Sequence, residues 1–185
     1  MGGQLSSFVA QSEERGGTEL LVRKVKVKGK EAISGIDTIK TKLPSLILLE
    51  VNGCKLSKVP QEINSLVSLC TITLEDNKLS TLPSIVHLTH LKELNLASNR
   101  FTTFPAILSE LAWLETLNLA KNGLTDFKGT EISRMTSLTS LNLSQNELAS
   151  FPTSLCSIVG LVSVDLSENK LPSLPSEVRT LLAVY

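Results

Sequence analysis

The stretch Leu-Glu-Thr-Leu-Asn-Leu-Ala-Lys-Asn-Gly-Leu, residues 114–124, decides the fold of this 185-residue chain. It follows the pattern L-x-x-L-x-L-x-x-(N/C)-x-L, and six copies, some with another apolar residue for leucine, run from Leu46 to Leu171. The (N/C) position, called the anchor below, is occupied by Cys54, Asn77, Asn99, Asn122, Asn146 and Asn169, so successive copies lie 23, 22, 23, 24 and 23 residues apart. Self-similarity at such a period is the sequence signature of a solenoid.

Each copy predicts one short strand and one crossover. Apolar and polar residues alternate after the first leucine of each copy, which is the period-two pattern of a strand. In five copies the crossover opens with an apolar-Pro pair such as Leu82-Pro83, and apolar residues then return at helical spacing. Parallel strands need such crossovers. The sequence therefore predicts an α/β solenoid of about six repeats, with a parallel concave sheet and a helical or irregular convex side. The fourth copy departs from the pattern at Phe127-Lys128-Gly129.

The third copy, Leu91-Lys92-Glu93-Leu94-Asn95-Leu96-Ala97-Ser98-Asn99-Arg100-Phe101, shows the repeat well, and the chain approximates the longer form L-x-x-L-x-L-x-x-N-x-L-x-x-L-P-x-x-I-x-x-L, with Phe104-Pro105 and Leu108 in the crossover of this copy. The chain thereby resembles the intracellular Ras-suppressor/Shoc2/scribble type of leucine-rich repeat over residues 46–181. Members of that group are generally adaptors or scaffolds that present the concave sheet face to another protein. The resemblance thus implies a protein-binding function and names no partner.

The six anchors are the polar part of the predicted core. A buried amide has two donors and an acceptor that must be satisfied. We expect the anchor asparagines to bond backbone groups of their own and the adjacent repeat, forming a structural ladder through the solenoid. Cys54 is expected to begin this ladder as a small, weakly polar residue, not as a reactive thiol.

Eighteen positions between the apolar residues of the strands form the predicted concave face. The first column is Leu48, Thr71, Glu93, Thr116, Ser140 and Ser163; the central column is Glu50, Thr73, Asn95, Asn118, Asn142 and Asp165; the third column is Asn52, Glu75, Ala97, Ala120, Ser144 and Ser167. We expect partner binding at Glu50, Thr73, Glu75, Glu93, Asn95, Thr116, Asn118, Ser140, Asn142 and Asp165. The polar, mildly acidic face favours a protein partner that is basic or rich in hydroxyl groups. The alternative is that this face is only solvated and that the protein contacts its partners through an edge or a terminus of the solenoid.

The sequence divides into an N-terminal segment, residues 1–42, and a repeat domain, residues 43–185. Residues 31–43 place Ala32, Ile33, Ile36, Ile39 and Leu43 on roughly one side of a predicted helix that caps the first repeat. Before it, residues 21–28 alternate apolar and basic residues, which indicates either an edge strand protected by lysines or a basic patch for anionic lipid. The first six residues, Met-Gly-Gly-Gln-Leu-Ser, match the N-myristoylation pattern at Gly2. Peripheral membrane association is therefore one expectation for this chain.

Charge and composition exclude several functions. Lys and Arg balance Asp and Glu at 18 each, so no basic footprint for nucleic acid exists. Neither a signal peptide nor a transmembrane stretch is recognisable, and three scattered cysteines give no disulfide framework. These features predict a cytoplasmic protein, with or without recruitment to a membrane surface.

The pattern of titratable residues predicts a protein that is not an enzyme. His87 and His90 are the only histidines, and no nearby cysteine or carboxylate cluster completes a metal site. Phosphate-binding and nucleophile motifs are also lacking. We expect no catalytic residue, no cofactor and no metal. The lone tryptophan, Trp113, is expected to pack on the crossover of the neighbouring repeat. The alternative is that its side chain is exposed and contacts a partner.

The last residues leave a second interpretation open. A seventh repeat would begin near Val184, and the apolar residues at 181–185 have no polar cap. A truncated chain, an end-to-end dimer and a tail folded on the last repeat would each account for this pattern. Residues 43–54 also faintly resemble the start of larger proteins that join such repeats to a tRNA-synthetase-β-like B3/B4 domain. The alternative function is thus a structural or assembly module, or the N-terminal part of a larger leucine-rich-repeat protein.

Overall fold

The computed structural model describes residues 10–14, 16–23, 36–126 and 132–173. Within these ranges seven parallel strands form one open sheet in the order of the sequence. They are β1 (Glu19–Arg23), β2 (Leu48–Asn52), β3 (Thr71–Thr73), β4 (Glu93–Asn95), β5 (Thr116–Asn118), β6 (Ser140–Asn142) and β7 (Ser163–Asp165). Equivalent residues pair across neighbouring strands, for example Leu94 with Leu117 and Leu117 with Leu141. This arrangement confirms the predicted solenoid with a parallel sheet.

The convex side is made of short 3-10 helices and turns. The helices are η1 (Gln61–Ser65), η2 (Ala106–Glu110), η3 (Ile132–Arg134) and η4 (Thr153–Ser157). Pro60, Pro105 and Pro152 stand at the N-caps of η1, η2 and η4. The apolar residues of the crossovers recur every third residue, as in Ile63/Leu66, and this matches the three residues per turn of a 3-10 helix.

Between sheet and convex side lies one continuous core. The leucines that define the repeat are almost completely buried, among them Leu94, Leu117 and Leu141. Phe101 is the largest fully buried side chain among the described residues. Because each repeat buries its apolar residues against its two neighbours, the stability of the solenoid depends on contacts between adjacent repeats.

The N-terminal segment joins the sheet. Helix α1 (Ile36–Lys42) covers the first repeat through Ile39, which is fully buried, and Leu43 follows it into the core. Residues 10–14 are helical, and Glu13 forms an ion pair with Lys42 at 3.4 Å. The edge strand β1 begins at Glu19, two residues before the predicted start at residue 21, and it includes residues 21–23; residues 24–28 of the prediction lie outside the described part. The division at residues 42/43 stays a prediction.

Several other sequence predictions concern residues that the structure does not describe. They are the Gly2 motif, residues 31–35 of the predicted capping helix, the departure of the fourth repeat at 127–131 and the chain beyond residue 173. Within the described ranges, no helix is long and apolar enough to cross a membrane.

Candidate functional site

The concave face is formed by the strand residues that alternate with the buried leucines. In β2 the side chains at 48, 50 and 52 are half-buried, whereas Leu49 and Val51 are 1% exposed. Among the predicted partner-binding residues Glu93 and Asp165 are exposed. The others, which are Glu50, Thr73, Glu75, Asn95, Thr116, Asn118, Ser140 and Asn142, are half-buried. The parallel register brings these residues together in columns that run across the strands.

The third column differs from the prediction of a solvent-facing column. Ala97, Ala120 and Ser144 are buried, with exposed fractions of 4%, 6% and 9%. The reason is that strands β4, β5 and β6 end at the central column, and the chain bends immediately afterwards. The accessible surface on these strands is therefore narrower than the sequence indicates and consists of the first and central columns.

The central asparagines are fixed by their own backbone. Oδ1 of Asn95 accepts a hydrogen bond from the N–H of Ala97 (3.0 Å). Oδ1 of Asn118 accepts one from Ala120 (3.0 Å), and Oδ1 of Asn142 accepts one from the residue two further on at 2.9 Å. Because a backbone N–H must meet an acceptor, this contact determines which amide atom is the oxygen. The Nδ2 group of each asparagine is thus the one left to donate elsewhere. Hydrophobic periodicity does not predict this turn, although its signal, N-x-(A/S), is present in the sequence.

Asp165 occupies the same turn in the last strand. Its Oδ1 accepts a hydrogen bond from the N–H of Ser167 at 2.9 Å. Hydrogen bonds from the Ser167 side chain and backbone lower the pKa of this carboxyl below 3.8, with burial opposing them weakly and Ser144 adding a further hydrogen bond. The central column therefore ends in a fixed negative charge where the preceding strands carry amides.

Strands β2–β4 carry the remaining acidic residues of the face. Nδ2 of Asn52 donates to Glu50 at 2.8 Å, and its Oδ1 accepts from the N–H of Glu75 at 2.9 Å. Nδ2 of Asn95 donates to Oε2 of Glu75 at 3.2 Å. Glu93 stands beside them in the first column. The amides therefore hold the carboxylates of Glu50 and Glu75 in place.

Behind the concave face the anchors form a ladder of hydrogen bonds. Oδ1 of Asn77 accepts from the N–H groups of Cys54 (3.2 Å) and Leu56 (2.9 Å) in the preceding repeat. Its Nδ2 lies within 2.7 Å of the Val51 carbonyl and 3.0 Å of the Leu74 carbonyl. Asn99, Asn122, Asn146 and Asn169 repeat these contacts. Cys54 is buried, and its Sγ donates to the Asn52 carbonyl at 3.2 Å. The ladder sets the bend that follows each of the strands β2–β7.

That bend uses a left-handed backbone conformation in each repeat. The residue before each anchor asparagine has φ between 53° and 56°, as at Asp76, Ser98, Lys121, Gln145 and Glu168. None of these five is glycine, so each accepts a local steric cost. The sequence gives no glycine signal for the bend except Gly53, whose φ is 64°.

The remaining candidates lie away from the concave face. Nε1 of Trp113 donates to the Leu88 carbonyl of the neighbouring repeat at 2.8 Å, which confirms the packing prediction. His87 and His90 are exposed, and Nδ1 of His90 lies 3.2 Å from the Val67 carbonyl. Across the described residues, no three His, Cys, Asp or Glu side chains come together in a group that could hold a metal ion.

Comparison with known proteins places this geometry among repeat proteins. The family model described as leucine rich repeat matches residues 44–101 and 110–171. Over 120 residues the chain is 34% identical to the Ras guanine nucleotide exchange factor V of Dictyostelium discoideum; the match covers 57% of this chain and 6% of that protein. The chain therefore spans only a small part of this curated relative.

Two solved structures are similar in fold. A leucine-rich repeat protein of Leptospira interrogans is 33% identical, with a TM-score of 0.63, over 78% of this chain and 43% of that one. Internalin C2 of Listeria monocytogenes superposes with a TM-score of 0.73 over 96% of this chain and 88% of that one. At 21% identity this second likeness concerns the fold alone.

Proposed function

Because this chain belongs to the leucine-rich repeat family, whose fold generally mediates protein–protein interaction, we propose that it is an adaptor that binds another protein through its concave face. One observation carries the proposal. The central column presents amide donors whose orientation is already fixed by the turn that follows each strand. Fixed polar groups on a rigid sheet lose little conformational entropy on binding. Leucine-rich repeat proteins are typically binding modules without catalytic activity, and this function needs no catalytic residue.

The size and composition of the face define the kind of interaction. Six strands at about 4.8 Å spacing extend roughly 25 Å, so the interface is of modest size. Its eighteen positions include no tryptophan, tyrosine or arginine, which are the residues enriched at binding hot spots. We therefore expect a polar interface of moderate affinity. The crossovers approximate L-P-x-x-I-x-x-L, as in Val59-Pro60 followed by Ile63 and Leu66, and this favours the Ras-suppressor/Shoc2/scribble-like type as the functional class. The exchange activity named for the Dictyostelium relative is not carried over, because this chain matches 6% of it.

The proposal is tested by capturing partners with the full chain from cells that express it. The test variant is Ser140→Trp, which adds an aromatic ring to a half-buried position in the first column. The matched control is Ser157→Trp at the exposed end of η4 on the convex side. We expect a set of proteins that the wild type and the control capture and the concave variant loses. Identical capture by all three folded proteins would refute binding through this face.

Recruitment to a membrane is the second part of the proposed function. The Gly2 pattern supports myristoylation, and a single myristoyl chain gives only marginal membrane binding. The basic residues between 23 and 30 would supply the second signal. Flotation of the native chain on membranes and loss of flotation in Gly2→Ala would support this localisation. If neither form floats, the adaptor acts in the cytoplasm.

A second candidate function, assembly with another copy or a further domain, is favoured by exposed apolar residues in the first and last described repeats. Ile47 and Val162 directly follow the first leucine of their repeats and are 43% and 62% exposed. Val67 and Val159 lie two residues before Leu69 and Leu161, the first leucines of the second and sixth repeats, and are 51% and 101% exposed. At the equivalent positions the three repeats that begin at 91, 114 and 138 have Lys92, Glu115 and Thr139, or small and polar residues. Light scattering of the wild type and of Val159→Lys/Val162→Lys tests assembly; a monomeric wild type contradicts self-association.

A further inference from the structure

The charges on the concave face are divided into two zones. Over β2–β7 every charged residue of the three columns is a carboxylate, and no lysine, arginine or histidine occurs among the eighteen positions. Glu50 and Glu93 lie on β2 and β4, Glu75 lies two residues after the end of β3, and Asp165 lies on β7. Strands β5 and β6 between them carry only uncharged residues in these columns. A partner that covers the whole face therefore contacts two separate anionic regions and the uncharged middle between them.

The uncharged middle offers two amide donors, the Nδ2 groups of Asn118 and Asn142, beside the hydroxyl groups of Thr116 and Ser140. Oδ1 of Asn118 and Oδ1 of Asn142 are occupied by backbone N–H groups at 3.0 and 2.9 Å. No described residue accepts a hydrogen bond from the Nδ2 group of either side chain. Asn95 differs because its Nδ2 donates to Glu75. The two amides on β5 and β6 thus point to acceptors that a partner supplies.

The backbone of an extended segment provides such acceptors. In an α-helix most carbonyl oxygens already accept a hydrogen bond from the residue four positions on, whereas an extended segment leaves its carbonyls available. From Glu75 and Glu93 to Asp165 the separation is three to four strand spacings, which is roughly 14–19 Å. An extended chain covers that distance in about four to six residues.

We infer that the partner is a protein segment that crosses the sheet in an extended conformation, with one basic side chain at Glu75 and Glu93 and a second at Asp165, four to six residues apart. The segment between them is uncharged, and its carbonyl oxygens accept hydrogen bonds from Asn118 and Asn142. This inference rests on the proposed binding through the concave face and adds the chemistry of the bound segment.

Peptide display tests the inference while the natural partner is still unidentified. Random twelve-residue peptides are selected on the immobilised full chain and counter-selected on the concave variant Ser140→Trp. Consensus peptides are then synthesised, and their binding is measured by fluorescence anisotropy. The variants are Glu75→Gln/Glu93→Gln and Asp165→Asn, and the matched control is Glu110→Gln on η2, which is exposed on the convex side. Asp165→Asn reproduces the amide that the same turn holds at Asn142, so the fold is expected to tolerate it.

We expect peptides with two basic residues four to six positions apart. Each variant should weaken their binding by about three- to tenfold, and Glu110→Gln should leave it unchanged. Binding should also weaken as salt is raised. Selected peptides that depend on Ser140 but lack the basic pair, or that bind both charge variants as well as the wild type, would overturn this inference and leave the proposed function intact. Failure to select any peptide that discriminates Ser140→Trp would overturn both.

Discussion

Replacing the anchor Asn146 by leucine tests the hydrogen-bond ladder most severely. Asn146 is 6% exposed and joins two repeats. Its Oδ1 accepts from the N–H of Leu124 at 3.0 Å, and its Nδ2 lies 3.0 Å from the Leu119 carbonyl and 2.9 Å from the Leu143 carbonyl. Leucine has a similar volume and fills the site, so the loss is one of hydrogen bonds rather than of packing.

The magnitude follows from which backbone groups lose a partner. The carbonyls of Leu119 and Leu143 each retain a donor from the neighbouring anchor, Asn122 at 3.0 Å and Asn169 at 2.9 Å. The N–H of Leu124 has no such substitute and is left buried without an acceptor, which costs about 1–3 kcal/mol. The two weakened carbonyl contacts add about 0.5–1.5 kcal/mol each, so we expect a total of about 2–6 kcal/mol.

Urea unfolding followed by circular dichroism measures this loss. Asn118→Leu is the matched control, since it makes the same substitution in the central column and removes one local hydrogen bond, at about 1 kcal/mol or less. Because Asn146 connects adjacent repeats, its replacement should also reduce the steepness of the transition as the two sides of the solenoid unfold separately. An unfolding midpoint of Asn146→Leu equal to that of Asn118→Leu would refute the reasoning.

Three further predictions concern individual contacts. Lys121→Gly, at φ 55°, should raise the free energy of unfolding by about 0.5–1 kcal/mol because glycine relieves the left-handed conformation, whereas Lys92→Gly at a strand start should lower it. Trp113→Phe should cost about 1 kcal/mol through the lost Nε1 hydrogen bond to Leu88, and urea titration measures it. Ser167→Ala should raise the pKa of Asp165 toward 3.8, and an NMR titration measures this pKa. Because the pKa is lowered in the folded protein, the stability that Asp165 contributes is present above pH 3.8. It is lost as the pH falls through the lowered pKa of the folded protein. An unchanged Asp165 titration would show that Ser167 is not the cause.

The repeat pattern predicted the fold because the leucines of every copy must be buried in the same way. Each copy can bury Leu94, Leu117 or Leu141 only when strands stack in parallel, and the register follows from the constant spacing. The 3-10 geometry of the crossovers was less evident, since spacings of three residues suit an α-helix and a 3-10 helix alike. The edge strand was predicted two residues too late, because residues 21–28 alternate regularly although the pairing with β2 begins at Glu19.

The candidate site was harder to read from the sequence. Alternation placed Ala97, Ala120 and Ser144 on the open face, but the backbone bend that follows β4–β6 buries them. Where that bend occurs depends on hydrogen bonds between repeats, which a single repeat does not display. The fixed amides of Asn118 and Asn142 likewise result from a local turn that hydrophobic periodicity does not reveal.

Carboxyl footprinting of a captured complex tests the central claim most directly. Carbodiimide labels exposed carboxylates, and mass spectrometry compares Glu93 and Asp165 on the concave face with Glu110 and Glu147, which are exposed elsewhere. We expect the partner to protect Glu93 and Asp165 and to leave Glu110 and Glu147 as reactive as in the free chain. Protection of Glu110 with unchanged labelling of Glu93 and Asp165 would place the partner on the convex side and contradict binding through the concave face.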